Sequence, residues 1–255
     1  MVKEMTKILL VGINGKMGQV ICRMAQDNQA VTISCGVDIN TKENNGVPVY
    51  DSLSNVKEDA DVIIDFSHPS SLAGTLAYAK ENNKPVVIAT TGLDNEQIAL
   101  LKETSKSVPV FFSANMSLGI NLLIQLAKKA ATLLYQNFDI EVIEKHHNQK
   151  IDAPSGTALA IADAINESLP SQNDYVYDRH SSRKKRSKNE IGLHAVRGGT
   201  IVGEHEVIFA GNDEIIEIKH TAMSKEIFAV GAIRAAQFIC GKDAGMYDMN
   251  NLING

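Results

Sequence analysis

A short apolar run, Lys7–Val11, begins the readable pattern and ends at Gly12. Unbroken apolar runs of this length suit strands buried on both faces of a parallel sheet. Further runs follow at Val31–Val37, Asp61–Phe66, Pro85–Ala89 and Pro109–Phe112. Helical spacing fills the gaps through about Asp27, near 70–82 and near 94–105. Strands alternating with helices predict βαβ units. The rhythm then changes. Leu118–Tyr135 is helical, with Lys128 and Lys129 on its polar stripe, and Phe138–Ile143 alternates as a strand. Ala158–Leu169 reads as a helix. From about residue 190 the pattern is mostly β, at Ile191–Val196, Glu204–Ala210 and Glu214–His220. Gly198-Gly199 and Gly211-Asn212-Asp213 are the turns between them. Helical spacing returns over Lys225–Phe238.

The first strand runs into Gly12-Ile13-Asn14-Gly15-Lys16-Met17-Gly18. Glycines there let the main chain approach a pyrophosphate, and the following helix offers unpaired N–H groups and its positive dipole end. Tight turns also use glycine. Here, however, the triplet follows a strand, opens a helix, and has Asp38 at the end of strand two to meet a ribose 2′-hydroxyl. The spacing is GxxGxxG rather than GxGxxG, which marks a subclass. A carboxylate at 38 repels a 2′-phosphate, Ile39 follows it instead of arginine, and Lys42 compensates in part. NADH is the expected coenzyme, with NADPH as an alternative. The fold class is α/β: a Rossmann-like dinucleotide-binding domain plus an α+β domain with a mainly β sheet.

The densest chemistry lies in Glu144–Ala158, EKHHNQKIDAPSGTA. Asp152, Pro154 and Ser155 are helix-start residues, with Pro154 suited to the first turn. Gly156 leaves the amides of Ser155, Gly156 and Thr157 open to a carboxylate or phosphate, and Lys150 adds positive charge. His146 and His147 can move protons near neutral pH. Singly, Ser155 or Asp152 is a plain helix cap and a histidine is more often structural. Adjacent histidines in a strand point to opposite faces and no third ligand is evident, so no metal is expected. Together the residues describe a binding and proton-transfer site for a small anion.

Composition narrows the classes. A net charge of −5 argues against a nucleic-acid or membrane-surface partner. Cys22, Cys35 and Cys240 form no CxxC pair, so reduced thiols in the cytoplasm are expected. No apolar run approaches the ~20 residues of a membrane span, and the first residues lack the pattern of a signal peptide. The basic run Arg179–Lys188 raises an RNA-binding reading, but no aromatics interleave, and a solvated flexible loop is expected instead. Two rivals remain: another nicotinamide enzyme, such as an amino-acid or diamine dehydrogenase, and an inactive NAD-binding sensor.

The stretch Glu144–Ala158 matches E-x-H-H-x-x-K-x-D-x-P-S-G-T-A throughout, and with it the chain resembles the dihydrodipicolinate reductase family. Supporting pieces are Gly12–Gly18, Asp65-Phe66, Ala89-Thr90-Thr91-Gly92, Ser113-Ala114-Asn115-Met116, Ile191-Gly192, Arg197-Gly-Gly and Gly203-Glu204-His205. The resemblance implies His146 as proton donor or acceptor, Lys150 as the second catalytic group, and His147, Gly156 and Thr157 on the substrate carboxylates. It places Gly12 to Met17, Asp38, Ala89 to Thr91, Ser113 to Met116 and Lys225 around the coenzyme. It implies a cyclic dicarboxylate substrate, a homotetramer, and three segments: a coenzyme domain 1–117, a substrate and oligomerisation domain 118–224, and a returning segment 225–255. This chain departs from the family at His68, where many members have arginine, and at Met116, where many have an aromatic. It also has Ser181 and Lys184 in place of glycines.

Overall fold

The computed structural model describes residues 5–44 and 46–255. In chain order its elements are β1 (Thr6–Val11), α1 (Lys16–Gln26), β2 (Val31–Val37), β3 (Val49–Tyr50), β4 (Val62–Asp65), α2 (Leu72–Glu81), β5 (Val86–Ile88), α3 (Asn95–Thr104) and β6 (Pro109–Phe112). Then come α4 (Leu118–Leu134), β7 (Asp139–His146), α5 (Gly156–Glu167), β8 (Asp174–Val176), β9 (Glu190–Arg197), β10 (Gly203–Ala210), β11 (Ile215–Ala222), α6 (Glu226–Ile239), β12 (Gly245–Tyr247) and α7 (Met249–Asn254). They form two compact units: the chain to Leu118 together with Glu226–Gly255, and Gly119–Lys225.

The first unit is built on a parallel sheet in the order β12-β6-β5-β4-β1-β2-β3. Its inner strands are mostly apolar because both faces are covered, although β4 ends in buried Asp65. Ile8, Leu10, Val62, Ile64, Val87 and Phe111 pack in the core that includes α1 and α6. Leu9, Val11, Ile63, Val86, Ile88 and Val110 pack on the other side with α2 and α3. Helix α6 supplies Ala229, Ala232, Ile233, Ala235, Ala236 and Ile239 to the first of these cores. Small residues let it lie close: a Cβ at Gly231 would overlap the Met116 carbonyl.

The second unit has a mixed sheet ordered β11-β10-β7-β9-β8. Pairing is antiparallel at β11/β10 and β10/β7, and parallel at β7/β9 and β8/β9. Leu123, Ala127 and Ala131 of α4 and Ile161, Ala162 and Ile165 of α5 pack on Ile140, Val142, Leu193, Val207 and Phe209. Burial alternates along β7, so Ile140, Val142, Glu144 and His146 share the covered face. The opposite face is largely charged, with Glu204 bridged by Lys145 at 3.3 Å and Lys219 at 2.9 Å.

Several features differ from the sequence reading. Strands β3, β8 and β12 and helix α7 are too short to show a period. Strand β7 runs on to His146 rather than stopping at Ile143, because polar Glu144 and His146 keep the inward alternation. The basic run is not simply solvated. Arg179 reaches Glu141 at 2.6 Å and Glu190 at 3.0 Å, while Arg186 holds Glu141 at 3.0 Å and Asp139 at 2.9 Å. Gly192 makes room for this cluster, since a Cβ there would overlap the Glu141 carboxylate. Arg183, Lys184, Lys185 and Lys188 do lie exposed.

Candidate active site

The glycine loop is shaped by contacts that only glycine allows. Gly12 has φ +82°, donates its N–H to the Val37 carbonyl at 2.8 Å, and would put a Cβ 3.2 Å from the Phe66 main chain. A Cβ at Gly18 would overlap the Gly12 and Ile13 carbonyls, so glycine lets α1 pack directly on the turn. Gly15 is the N-cap of α1, with no side-chain cap and no acid in the first turn. Its exposed end therefore keeps N–H groups and positive dipole for a phosphate. Asp38 accepts from Asn14 N–H at 2.9 Å and Asn40 N–H at 3.0 Å. Asn14 in turn donates to the Asn40 and Lys42 carbonyls at 2.6 and 2.8 Å, pinning the loop after β2 over the turn.

Two cavities open at the carboxyl ends of these strands, where ligands settle in such sheets. One of about 360 Å³ is lined by Gly12, Gly15, Asp38, Ile39, His68 and Ser70, among others. The other, about 270 Å³, is lined by Met17, Phe66, Ser67, Ala89, Thr90, Thr91, Ala114, Asn115, Met116 and Phe228. Buried Asp65 shapes the wall they share. It accepts from Ser67 N–H at 2.8 Å, from the Ser67 hydroxyl, and from Thr75 Oγ1 at 2.7 Å. A left-handed Gly12, a close-packed Gly18, a helix end without a side-chain cap and an apolar cavity beside it fit a dinucleotide.

Of the residues singled out for the coenzyme, Gly12, Gly15, Met17, Asp38, Ala89, Thr90, Thr91, Ala114, Asn115 and Met116 line one or other of these cavities. Ile13 is wholly buried and serves packing, touching the position a Gly36 Cβ would take. Asn14 and Ser113 act as braces, the latter donating to the Asn115 carbonyl at 2.8 Å. Lys16 begins α1. Lys225 is exposed, just before α6. Phe66, Ser67 and Phe228 also line the second cavity; the sequence names none of them as a site residue, Phe66 entering only through the Asp65-Phe66 piece of the resemblance.

In the second unit, Glu144 is completely buried and organises the signature stretch. Its Oε2 accepts from His146 Nδ1 at 2.6 Å and Arg197 at 2.8 Å, and its Oε1 from Arg197 at 2.7 Å and Ser155 N–H at 3.0 Å. Burial alone would raise this carboxyl; the hydrogen bonds from Arg197, His146 and Ser155 outweigh it and hold the pKa below the usual range. An ionised Glu144 fixes the His146 proton on Nδ1 and turns Nε2 away as the exchangeable nitrogen. Gly203 leaves room there: a Cβ would sit 3.1 Å from Nε2. His205 stacks edge-on against His146 at 5.2 Å and meets the Ser155 hydroxyl at 3.1 Å. Burial first, then the neighbouring His146, pushes His205 down to about 4, so it is neutral at pH 7.

Ser155 caps α5, its hydroxyl accepting from Ala158 N–H at 3.1 Å. Its own N–H is taken by Glu144, so it is not an open donor for substrate, which corrects the expectation of three free amides. Pro154 precedes the cap instead of occupying the first turn. Gly156 is exposed with open space where a Cβ would stand, and Thr157 follows, half-buried. Lys150 lies 2.8 Å from Asp152, and His147 is partly exposed beside them. Arg197 and His205 fell within stretches that carry the resemblance, but their partnership with Glu144 and Ser155 depends on sheet register and is silent in sequence.

Comparisons with known proteins agree with both halves. The N-terminal model of dihydrodipicolinate reductase matches residues 6–116 and the C-terminal model residues 119–253. The 4-hydroxy-tetrahydrodipicolinate reductase of Clostridium tetani is 50% identical over 250 residues, 98% of each chain. That of Caldanaerobacter subterraneus is 53% identical over 249 residues, again 98% of each. A dipicolinate-bound dihydrodipicolinate reductase from Paenisporosarcina sp. TG-14 superposes with a TM-score of 0.81 at 24% identity, covering 97% of this chain and 99% of that one. Matched along both units and half identical to named relatives, the chain belongs to the dihydrodipicolinate reductase family.

Proposed function

We propose that the chain reduces 4-hydroxy-tetrahydrodipicolinate to tetrahydrodipicolinate, the 4-hydroxyl leaving as water, with NADH as the preferred coenzyme. Its place is diaminopimelate and lysine biosynthesis, and it is an NAD(P)H-dependent oxidoreductase. The observation that carries the mechanistic part is the His146–Glu144–Arg197 chain beside Lys150 and the start of α5.

When bound, reduced nicotinamide supplies a hydride. The residues of the chain do the rest. Gly12, Gly15 and the first N–H groups of α1 would hold the pyrophosphate, and Asp38 would hold a ribose hydroxyl. Met17, Phe66, Thr90, Asn115 and Met116 would enclose the nicotinamide end. Lys150, Gly156 and Thr157, with His147, bind the two carboxylates of a small ring. His146 gives a proton from Nε2 to the position left electron-rich by reduction, while Glu144 keeps Nδ1 protonated and the ring oriented. Arg197 neutralises Glu144, so the pair orients the imidazole without adding net charge. Asp38 and the absence of arginine at Ile39 support NADH over NADPH. The resemblance supports a homotetramer, which native mass spectrometry would test. Free Cys22, Cys35 and Cys240 and the need for reduced coenzyme support a cytoplasmic setting.

The test is a coupled assay in which the preceding synthase condenses aspartate semialdehyde with pyruvate and NADH absorbance is followed. The wild-type chain consumes NADH. His146→Gln lowers kcat by about 10²- to 10⁴-fold, whereas Thr157→Ala mainly raises KM. Kinetics unchanged in both variants would remove the assignment.

A further inference from the structure

The donors assigned to a substrate carboxylate already have a carboxylate of the chain among them. Asp152 Oδ1 lies 2.8 Å from Lys150 Nζ, and its Oδ2 accepts from Gly156 N–H at 3.4 Å. One side chain thus spans the ammonium group and the open first turn of α5. We infer that Asp152 is a built-in competitor for the substrate carboxylate, seated on Lys150 and Gly156 N–H until the substrate displaces it. This inference rests on the reading of Lys150 and Gly156 as carboxylate contacts.

Three features favour displacement over a fixed support. The Gly156 bond is long, hence weak and easily exchanged. The Asp152 side chain is 56% exposed, so water receives it when it leaves. Its main chain stays in place, because the Asp152 carbonyl accepts from Arg197 at 2.5 Å and Arg197 is locked to Glu144. A side-chain rotation alone therefore clears the seat. The arrangement keeps Lys150 paired and aimed without substrate, and it lowers affinity for any anion too weak to displace the resident carboxylate.

The experiment is calorimetric titration of the full-length chain, in the presence of NADH, with pyridine-2,6-dicarboxylate. Wild type, Asp152→Asn and Lys150→Ala are compared. Asparagine keeps the shape of Asp152 and removes its charge. The dicarboxylate should bind Asp152→Asn roughly two- to five-fold more tightly, the scale of a half-exposed ion pair. KM for the substrate should fall by a similar factor, and the gain should shrink at high salt. Lys150→Ala should weaken binding. If Lys150→Ala weakens binding while Asp152→Asn leaves it unchanged or weaker, Asp152 is a support for Lys150 and the inference is overturned. If Lys150→Ala changes nothing, the assignment of Lys150 to the carboxylate fails first, and the competitor role falls with it.

Discussion

Helices α1 and α5 both begin beyond the end of a strand, and both starts are proposed as anion sites, yet they are built in opposite ways. The α1 end is made of main chain: Gly15 caps it without a side chain, and Gly12 and Gly18 are held by close main-chain approach. The α5 end is made of side chains. Ser155 caps it, Glu144 takes the Ser155 N–H, and Asp152 sits against Gly156. A main-chain cradle suits a phosphate whose charge never changes. A cradle of titratable side chains suits a carboxylate that must enter, receive a proton nearby and leave.

Removing Glu144 should break the α5 side most severely. Glu144→Ala leaves Arg197 and Ser155 N–H without their partner in a buried position, a loss of about 3 kcal/mol. For a chain of this size that lowers Tm by roughly 6–12 °C, measured by calorimetry. The matching change on the α1 side is Gly18→Ala, whose Cβ meets the Gly12 and Ile13 carbonyls. Displacing the turn costs about 1–3 kcal/mol and should weaken NADH at least ten-fold by fluorescence titration. Dicarboxylate binding that fell equally in Gly18→Ala would show that the two ends are not independent.

These two sites were not equally legible. The α1 end could be read because glycine is required by the local turn itself, whatever lies around it, and Asp38 follows at the end of the next strand. The signature residues His146 and Lys150 were legible as chemistry. The organisation beneath them was not: Arg197 is 53 residues from Glu144, and His205 reaches the site because β10 pairs antiparallel to β7 with His205 opposite Glu144. Such register is decided by packing across the sheet. Within the basic run only Arg179 and Arg186 depart from a solvated loop, for the same reason: they find Glu141 only once β7 and β9 are paired.

Acidity separates the two ends next. His205 takes its proton near pH 4 in the folded chain but near 6.5 when unfolded. Between those values the unfolded state binds more protons, so stability is complete above pH 6.5 and falls as the pH drops toward 4. The loss is on the order of 3 kcal/mol. Glu141 and Glu144, both held low, act in the lower window: their contribution is lost only as pH falls below the ordinary carboxylate range. His205→Gln should therefore flatten the pH 6.5–4 slope of Tm and leave the steeper acid limb. An unaltered slope in the variant would move the effect to another group.

The smallest effect tests how far the α1 end depends on main chain alone. Asp38 brings a charged side chain to that cavity: it accepts from Asn14 and Asn40 N–H, and it lines the space proposed for a ribose. If it reads the ribose, Asp38→Ala removes a charged hydrogen bond to the 2′-hydroxyl and weakens NADH about ten-fold. NADPH, whose 2′-phosphate the carboxylate repels, should lose less or gain. The ratio of the two dissociation constants is the measurement. Equal weakening of both coenzymes would mean that Asp38 acts only by holding Asn14 and the glycine turn. The α1 site would then be built from main chain even in its choice of coenzyme.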